Sequence, residues 1–246
     1  MALVRTLIRR ILRAANCDIR RYVTESGAVA PMLDLAVAAY VAELGNPYFV
    51  QVGANDGVID DPLRQLILKY HLPGLLMEPM PDVFAELLKN YAGETQLAFE
   101  NCALWHEDGE CEFFRVKPTA YPNPRVKGMA GMSREVLLGS SRHLPGLARN
   151  LETSRVQTVS PKSLFEKHAV SQIDLLLVDA EGFDDQIIKI ILEYGARPAI
   201  IHYEHLHLSP DRQDASAHFL SEKGYRFART RISTLALLDQ EPFGRR

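Results

Sequence analysis

The chain lacks several features that would each indicate a class of protein. No apolar run approaches the roughly 20 residues that a membrane span needs. Cysteine is scarce: the three, Cys17, Cys102 and Cys111, form no C-x-x-C pair and are odd in number, which argues against a disulfide scaffold and for a reducing compartment. There is no basic excess. The formal net charge is -3, and a general nucleic-acid binder needs a basic surface to displace counterions. No internal repeat is visible. The N-terminus has neither an uninterrupted apolar stretch nor a small-residue cleavage site, so no secretory signal is read there and a cytoplasmic location is expected.

What is present is ordinary for a globular protein: 47% hydrophobic and 24% charged residues in 246, enough for one large domain or two small ones. The charge is uneven, with Arg5, Arg9, Arg10, Arg13, Arg20 and Arg21 against Asp18 alone in the first 21 residues. Val4, Leu7, Ile8, Ile11 and Ala15 fall at helical spacing, which predicts an amphipathic helix over 2–15. Its basic face is compatible with peripheral contact to anionic lipid, although docking on the domain's own core is the simpler expectation. A second helix is expected from Pro31 to Gly45. We divide the chain into this helical segment, 1–45, and a domain over 46–246.

From residue 46 the pattern alternates. "YFVQVG", "GLLMEP", "TQLAFENCALW", "GECEFFRV", "IDLLLVDAEG", "PAIIHYEH", "YRFART" and "STLALLD" read as strands, most of them separated by amphipathic helices. Near-continuous apolar strands between helices indicate a mainly parallel sheet covered on both faces. Residues 117–150 are rich in Pro, Gly and Arg with weak periodicity and read as a lid or binding insertion. Ligands in such sheets sit beyond the carboxyl ends of the strands.

The candidate residues fall at those ends. In "FVQVGANDG", Gly53 and Gly57 suit a turn with positive φ or close backbone approach to a ligand. Glu78 follows Gly53 by 25 residues, near the offset at which nucleotide-binding sheets place an acid on a ribose. Asn55 and Val58 stand where a dinucleotide turn has glycine, and Asp56 would repel a pyrophosphate by several kcal/mol at about 4 Å. The same carboxylate favours a cation, such as the sulfonium and ammonium of S-adenosylmethionine, whose carboxylate would take the backbone N–H groups of the turn. The alternative for Asp56 is a helix N-cap. Asn101 and Ala103 would lie near an adenine. Asp179, Glu181, Asp184 and Asp185 cluster after the strongest strand, where some serve the helix dipole. In "IIHYEHLHL", strand alternation puts His202 and Glu204 on one face and His205 on the other. We take His202, His205 and Asp179 as candidates for the base, with Glu181 and Glu204 behind them. Neither the carboxylates nor His202, His205 and His207 have a usual metal spacing, so a divalent metal is not favoured.

These stretches resemble the FkbM-type family of S-adenosylmethionine-dependent methyltransferases. The resemblance covers about residues 46–205 and rests on "FVQVGANDG", "MEPMPDVFAELLKN", "NCALWHEDG" and "IDLLLVDAEGFDDQII". It implies a Rossmann-like class I fold: a mostly parallel seven-stranded sheet with helices on both faces and an antiparallel final strand. It also implies S-adenosylmethionine as cofactor and methyl transfer to a hydroxyl oxygen of a small molecule, a sugar or a natural-product precursor. By position, Gly53, Asn55, Asp56, Gly57, Glu78, Asn101 and Asp179 would be cofactor residues. Ala180 departs from the family's branched residue, and 117–150 aligns with no family element. Arg125, Lys127, Arg134, Arg142 and His143 in that insertion would suit an anionic or polyhydroxylated acceptor. A homo-oligomer is compatible with this reading. Two others stay open: a nicotinamide-dependent oxidoreductase, which shares the fold and Glu78, and a cofactor-binding scaffold without catalysis.

Overall fold

A computed structural model describes residues 30–239, apart from 121–122, 124–125, 127 and 141–143. The basic helix expected over 2–15, Cys17, and the insertion residues Arg125, Lys127, Arg142 and His143 lie outside the described residues.

Four-residue apolar runs with no polar face form the centre of the main sheet. Strands β1 (Phe49–Val52), β2 (Gly74–Met77) and β8 (Leu175–Val178) are buried along their whole length, as parallel strands covered on both faces must be. With β3 (Leu97–Glu100), β9 (Ile200–Glu204), β10 (Tyr225–Arg229) and β11 (Ser233–Leu238) they make a seven-stranded sheet of order β10-β11-β9-β8-β1-β2-β3. All the pairings are parallel except those of β11, which runs antiparallel to both β9 and β10. This is the doubly wound, seven-stranded arrangement with an antiparallel last strand that was expected. Helices α1 (Ala30–Leu44), α2 (Arg64–Tyr70) and α3 (Pro81–Asn90) cover one face, where Leu33, Val37, Ile67 and Leu87 join Phe49, Leu76 and Leu177. On the other face α5 (Pro161–Lys167), α6 (Asp184–Tyr194) and α7 (Pro210–Glu222) pack Leu164, Ile188, Ile191 and Leu220 against Val50, Leu176 and Tyr203. Helix α1 is thus an integral layer of the sheet domain. It is fixed further by Asp174, which accepts from the Tyr40 hydroxyl at 2.7 Å and from the Tyr48 N–H at 2.9 Å.

A second sheet departs from the sequence reading. The stretch 97–104 is not one strand: β3 stops at Glu100, and Ala103–Leu104 (β4) starts another sheet. The break is at Asn101, whose side-chain amide donates to the carbonyls of Glu78 at 2.8 Å and Pro79 at 3.1 Å. Strand β5 (Gly109–Val116) pairs along its length with β7 (Leu151–Val159), giving a four-stranded sheet of order β4-β7-β5-β6, where β6 is Ala130–Gly131. Strand β7 was not foreseen, because its inward residues include Val156 and Thr158 among polar neighbours and so leave no apolar alternation. The insertion 117–150 carries β6 and helix α4 (Arg134–Ser140), and is held at its root by the β5–β7 pair.

The chain order reverses between β8 and β1, and there the two strand ends touch. Gly53 has φ 79°, and a Cβ built on it would lie 1.8 Å from the Asp179 carbonyl oxygen. The Asp179 N–H donates to Val52 O at 2.9 Å, and the Gly53 N–H to Met77 O at 3.0 Å. We expect Gly53→Ala to destabilise the fold by about 2–4 kcal/mol, the sum of overpacking against backbone and a left-handed conformation for a residue with a Cβ. Urea denaturation measures this, with an unchanged denaturant slope if the fold is retained.

Candidate functional site

Beyond the carboxyl ends of β1, β2, β8 and β9 lies a crevice of about 280 Å³. The turn after β1 supplies Gly53, Ala54 and Asn55; β2 ends in Glu78; Cys102, Ala103 and Leu104 line it from the start of the second sheet. The loop after β8 supplies Asp179 and Glu181, and β9 and its following turn supply Glu204 and His207. Gly128, Met129, Ala130 and Met132 of the insertion complete the lining of the crevice as its roof. Arg134 does not line it.

Six N–H groups of the turn after β1 have acceptors within the protein. The N–H groups of Gly53 and Ala54 both donate to Met77 O, that of Asn55 to Glu78 Oε2 at 3.0 Å, and that of Gly57 to Ala54 O. Those of Val58 and Ile59 donate to Asp56 Oδ1 at 2.9 and 2.8 Å. Asp56 is therefore the cap of this turn and does not line the crevice, which corrects the expectation that it faces a bound cation. A short side chain satisfies amides two and three residues ahead of it at little entropic cost. Gly57 also lies off the crevice, against Tyr91 and Leu87. The expectation that the turn's N–H groups take a ligand carboxylate is corrected in the same way, since six of them are committed to protein acceptors. A diphosphate, which needs free N–H groups, would have to displace these acceptors.

Glu78 is buried. Its Oε1 accepts from the Met80 N–H at 2.9 Å and its Oε2 from the Asn55 N–H, so two loops are pinned to one carboxylate. Burial pushes its carboxyl up to about 7, against the pull of those hydrogen bonds. Asn101 is set back from the cavity and holds the loop after Glu78 by its two carbonyl contacts, while Ala103 does line the cavity.

The negative charge at the floor of the crevice comes from residues other than Asp56. Asp61 lines it and accepts from the Leu63 N–H at 2.8 Å and the Gln51 side-chain amide at 3.2 Å. Gln51 is 2% exposed, and its Oε1 has no hydrogen-bond partner. Neither residue was foreseen. The available signal was a lone polar residue within the apolar strand "FVQV". Asp179 is open to solvent through the crevice, yet it is crowded by protein and by the carboxylates of Glu204, Glu181, Asp184 and Asp61, which push it well above the usual range.

The cluster after β8 divides by role. Asp184 is buried and accepts from the N–H groups of Ala180 and Gly182 at 3.1 Å, and Asp185 pairs with Arg212, which also donates to Gly182 O at 2.9 Å. Together they clamp the loop that presents Glu181, whose φ of 48° is strained for a residue with a side chain. The Oε2 of Glu181 is buried without a hydrogen bond, 3.4 Å from His207 Nε2. The same nitrogen is 3.0 Å from Glu204 Oε2. Burial pushes the Glu181 carboxyl up to about 7 despite His207. Burial alone would lower His207, but the Glu204 hydrogen bond and Glu181 raise it above its ordinary value.

His202 and His205, the first candidates for the base, do not line the crevice. His202 is buried within the sheet, in register with Leu177 and Leu235, and burial pushes it down to about 4. His205 is buried against Thr234 Oγ1 at 2.8 Å and is likewise lowered by burial. The cavity opens past the end of β9, where His207 reaches it from the following turn. Among the described residues, no group of three or more His, Cys, Asp or Glu side chains could hold a metal ion, and no helix is long and apolar enough to cross a membrane.

Comparison with known proteins gives one family. The sequence model of the methyltransferase FkbM domain matches residues 51–227. No curated protein matches the chain. Among solved structures, the FkbM methyltransferase of Methylobacillus flagellatus KT is 11% identical with a TM-score of 0.46, covering 89% of this chain and 57% of its own, so this chain spans little more than half of that protein. The SAH-bound Podospora anserina methyltransferase PaMTH1 is 10% identical with a TM-score of 0.45, over 92% of this chain and 88% of that one. The ribosomal protein L11 methylase of Lactobacillus delbrueckii subsp. bulgaricus is 10% identical with a TM-score of 0.42, over 89% and 82%.

A raised carboxyl holds its proton in the folded chain where the unfolded chain has released it, so stability falls as pH rises between about 4.5 and 7. For Glu78 the shift corresponds to on the order of 3 kcal/mol. Without ligand, Glu78→Gln should show a drop in stability between about pH 5 and pH 7.5 that is smaller than the parent's by an amount of this order, read by urea denaturation at each pH.

Proposed function

The chain belongs to the methyltransferase FkbM family, and from that premise we propose that it transfers a methyl group from S-adenosylmethionine to a hydroxyl oxygen of a small, polyhydroxylated acceptor, with Glu181 as the proton acceptor. The observation that supports this most directly is the Glu181 carboxylate: in the crevice, on a strained backbone, with Oε2 unpartnered and its carboxyl at about 7. A base is most effective when its pKa lies near the working pH.

The residues fit the donor. Glu78 is a buried carboxylate whose lone pairs are only partly used by two N–H groups, and it can accept from both ribose hydroxyls. Ala103 and Cys102, with Phe113 and Met132, offer an apolar slot for a purine. Asp179, Asp61 and the unpartnered Gln51 Oε1 are acceptors that suit an ammonium and a sulfonium. The committed amides of the turn disfavour the pyrophosphate of a nicotinamide cofactor, so the oxidoreductase reading has less support than the methyltransferase one.

When bound, the donor supplies a methyl on a sulfonium, open to in-line displacement. The chain's own part is to hold the acceptor oxygen on that line, which can contribute several kcal/mol, and to take its proton. Glu181 receives the hydroxyl proton as the carbon–oxygen bond forms. His207, between Glu181 and Glu204, positions the Glu181 carboxylate and offsets part of the negative charge around it. The insertion roof excludes water from the reacting atoms.

Glu181→Gln should lower kcat for methyl transfer by 10²-fold or more while leaving S-adenosylhomocysteine affinity within about threefold, measured by methyl-release assay and calorimetry. In the parent, kcat should rise with pH through about 7 as Glu181 loses its proton, and the Gln variant should lose this dependence. Retained turnover in Glu181→Gln counts against Glu181. Failure of S-adenosylhomocysteine to bind at all counts against the methyltransferase reading. Separately, Glu78→Ala should weaken S-adenosylhomocysteine by 10-fold or more by calorimetry, since a hydrogen bond to a charged group contributes about 1.5–3 kcal/mol.

A further inference from the structure

The crevice is one-sided in both charge and hydrogen-bonding type. Among the described residues, its charged lining is Asp60, Asp61, Glu78, Asp179, Glu181 and Glu204, with His207 as the sole basic side chain. The described arginines on flanking elements are turned to other partners: Arg64 to Gly57 O, Arg115 to Asp82, and Arg212 to Asp185. The buried lining atoms left without partners, Gln51 Oε1 and Glu181 Oε2, are both acceptors. Gln51, given above to the donor's cations, shows the same acceptor character independently of the acidic cluster. It is 2% exposed in the middle of an apolar strand, its amide nitrogen is bound to Asp61, and its oxygen is left for a ligand that donates.

The lining carboxyls crowd one another: burial and mutual repulsion raise Glu78, Asp179, Glu181 and Asp61, so part of the cluster holds protons. An acceptor with a phosphate or carboxylate would add a further negative charge to this crowd with no basic side chain but His207 to meet it. An acceptor with a protonated amine would relieve it and let the neighbouring carboxyls ionise.

Resting on the methyltransferase reading above, we infer that the acceptor is an amine-bearing polyol, of the amino-sugar or aminocyclitol class, whose ammonium sits on the Glu204 side of the crevice while its neighbouring hydroxyl meets Glu181. Of the insertion residues expected to meet an anionic or polyhydroxylated acceptor, Arg134 does not line the crevice, and Arg125, Lys127, Arg142 and His143 lie outside the described residues. Glu204 Oε2 and Glu181 Oε2 lie 3.0 and 3.4 Å from the same His207 Nε2, so two acceptor groups of the crevice flank one imidazole, within reach of a small ligand with an amine next to a hydroxyl. Met129 of the roof also lines the crevice and gives it an apolar contact that matches the C–H face of a ring.

The test uses the full chain saturated with S-adenosylhomocysteine and three matched probes that differ in one substituent: 2-amino-1,3-propanediol, glycerol and glycerol 1-phosphate. Titration followed by ligand-observed NMR should give an apparent Kd about tenfold lower for the amine than for glycerol, with the phosphate weakest. In Glu204→Gln, which keeps the shape and removes the charge, the advantage of the amine over glycerol should fall to within about twofold, and Glu204→Asp should restore part of it. Equal or undetectable binding of the three probes, a preference for the phosphate, or an amine preference unchanged in Glu204→Gln would overturn the inference. Because S-adenosylhomocysteine saturation is measured first, failure of the donor reading is seen separately from failure of the acceptor class.

Discussion

The site depends on the close approach of two strand ends, with the backbone after β1 lying against the Asp179 carbonyl at a distance that leaves no room for a Cβ. This contact sits where the chain order of the sheet reverses and opens the cleft that parallel sheets use for ligands. It aims the turn bearing Asn55 at Glu78 and the loop bearing Glu181 at the turn after β9. Hydrogen bonds then fix what the contact has aimed. Glu78 holds Asn55 and Met80, Asn101 holds the carbonyls of Glu78 and Pro79, and Asp184 with Arg212 holds the loop of Glu181. The groups left without partners are the ones that face the cavity.

The parts of the fold legible in the sequence are those whose physics is local. The apolar runs of β1, β2 and β8 read as buried parallel strands because they have no polar face, and the glycine after β1 and the acid after β2 read as a nucleoside-binding pair by spacing. The second sheet was less legible. Strand β7 has Ser154 and Thr158 where an alternation would need aliphatic residues, and it gains its partner, β5, across the whole insertion. The break at Asn101 depends on carbonyls 22 and 23 residues away, which no local pattern records.

At the site the limit was direction. Asp56 was correctly placed in the turn, but sequence does not distinguish a carboxylate that faces outward from one that folds back on its own amides, and here it folds back. Acids that do line the crevice include Asp61, which was not foreseen, and Asp179, which was. The histidines show the same limit. Alternation assigned His202 to the face of Glu204, but burial in the sheet keeps that imidazole neutral and remote, and the useful one lies in the turn beyond the strand.

The roof belongs to a hydrogen-bonded unit separate from the floor. Strand β6, which carries Ala130 and Gly131 over the cavity, is paired only to β5 of the small sheet, while Gly128 rests on the Asn55 side chain so closely that a Cβ there would lie 2.5 Å from it. Changes in length or composition between β5 and β7 can therefore reshape the chamber without disturbing the seven-stranded ladder whose ends carry Glu78 and Asp179. Such an architecture separates the inherited chemistry from the choice of what it modifies, and gives a lineage freedom to diversify its products while the methyl-handling half stays the same.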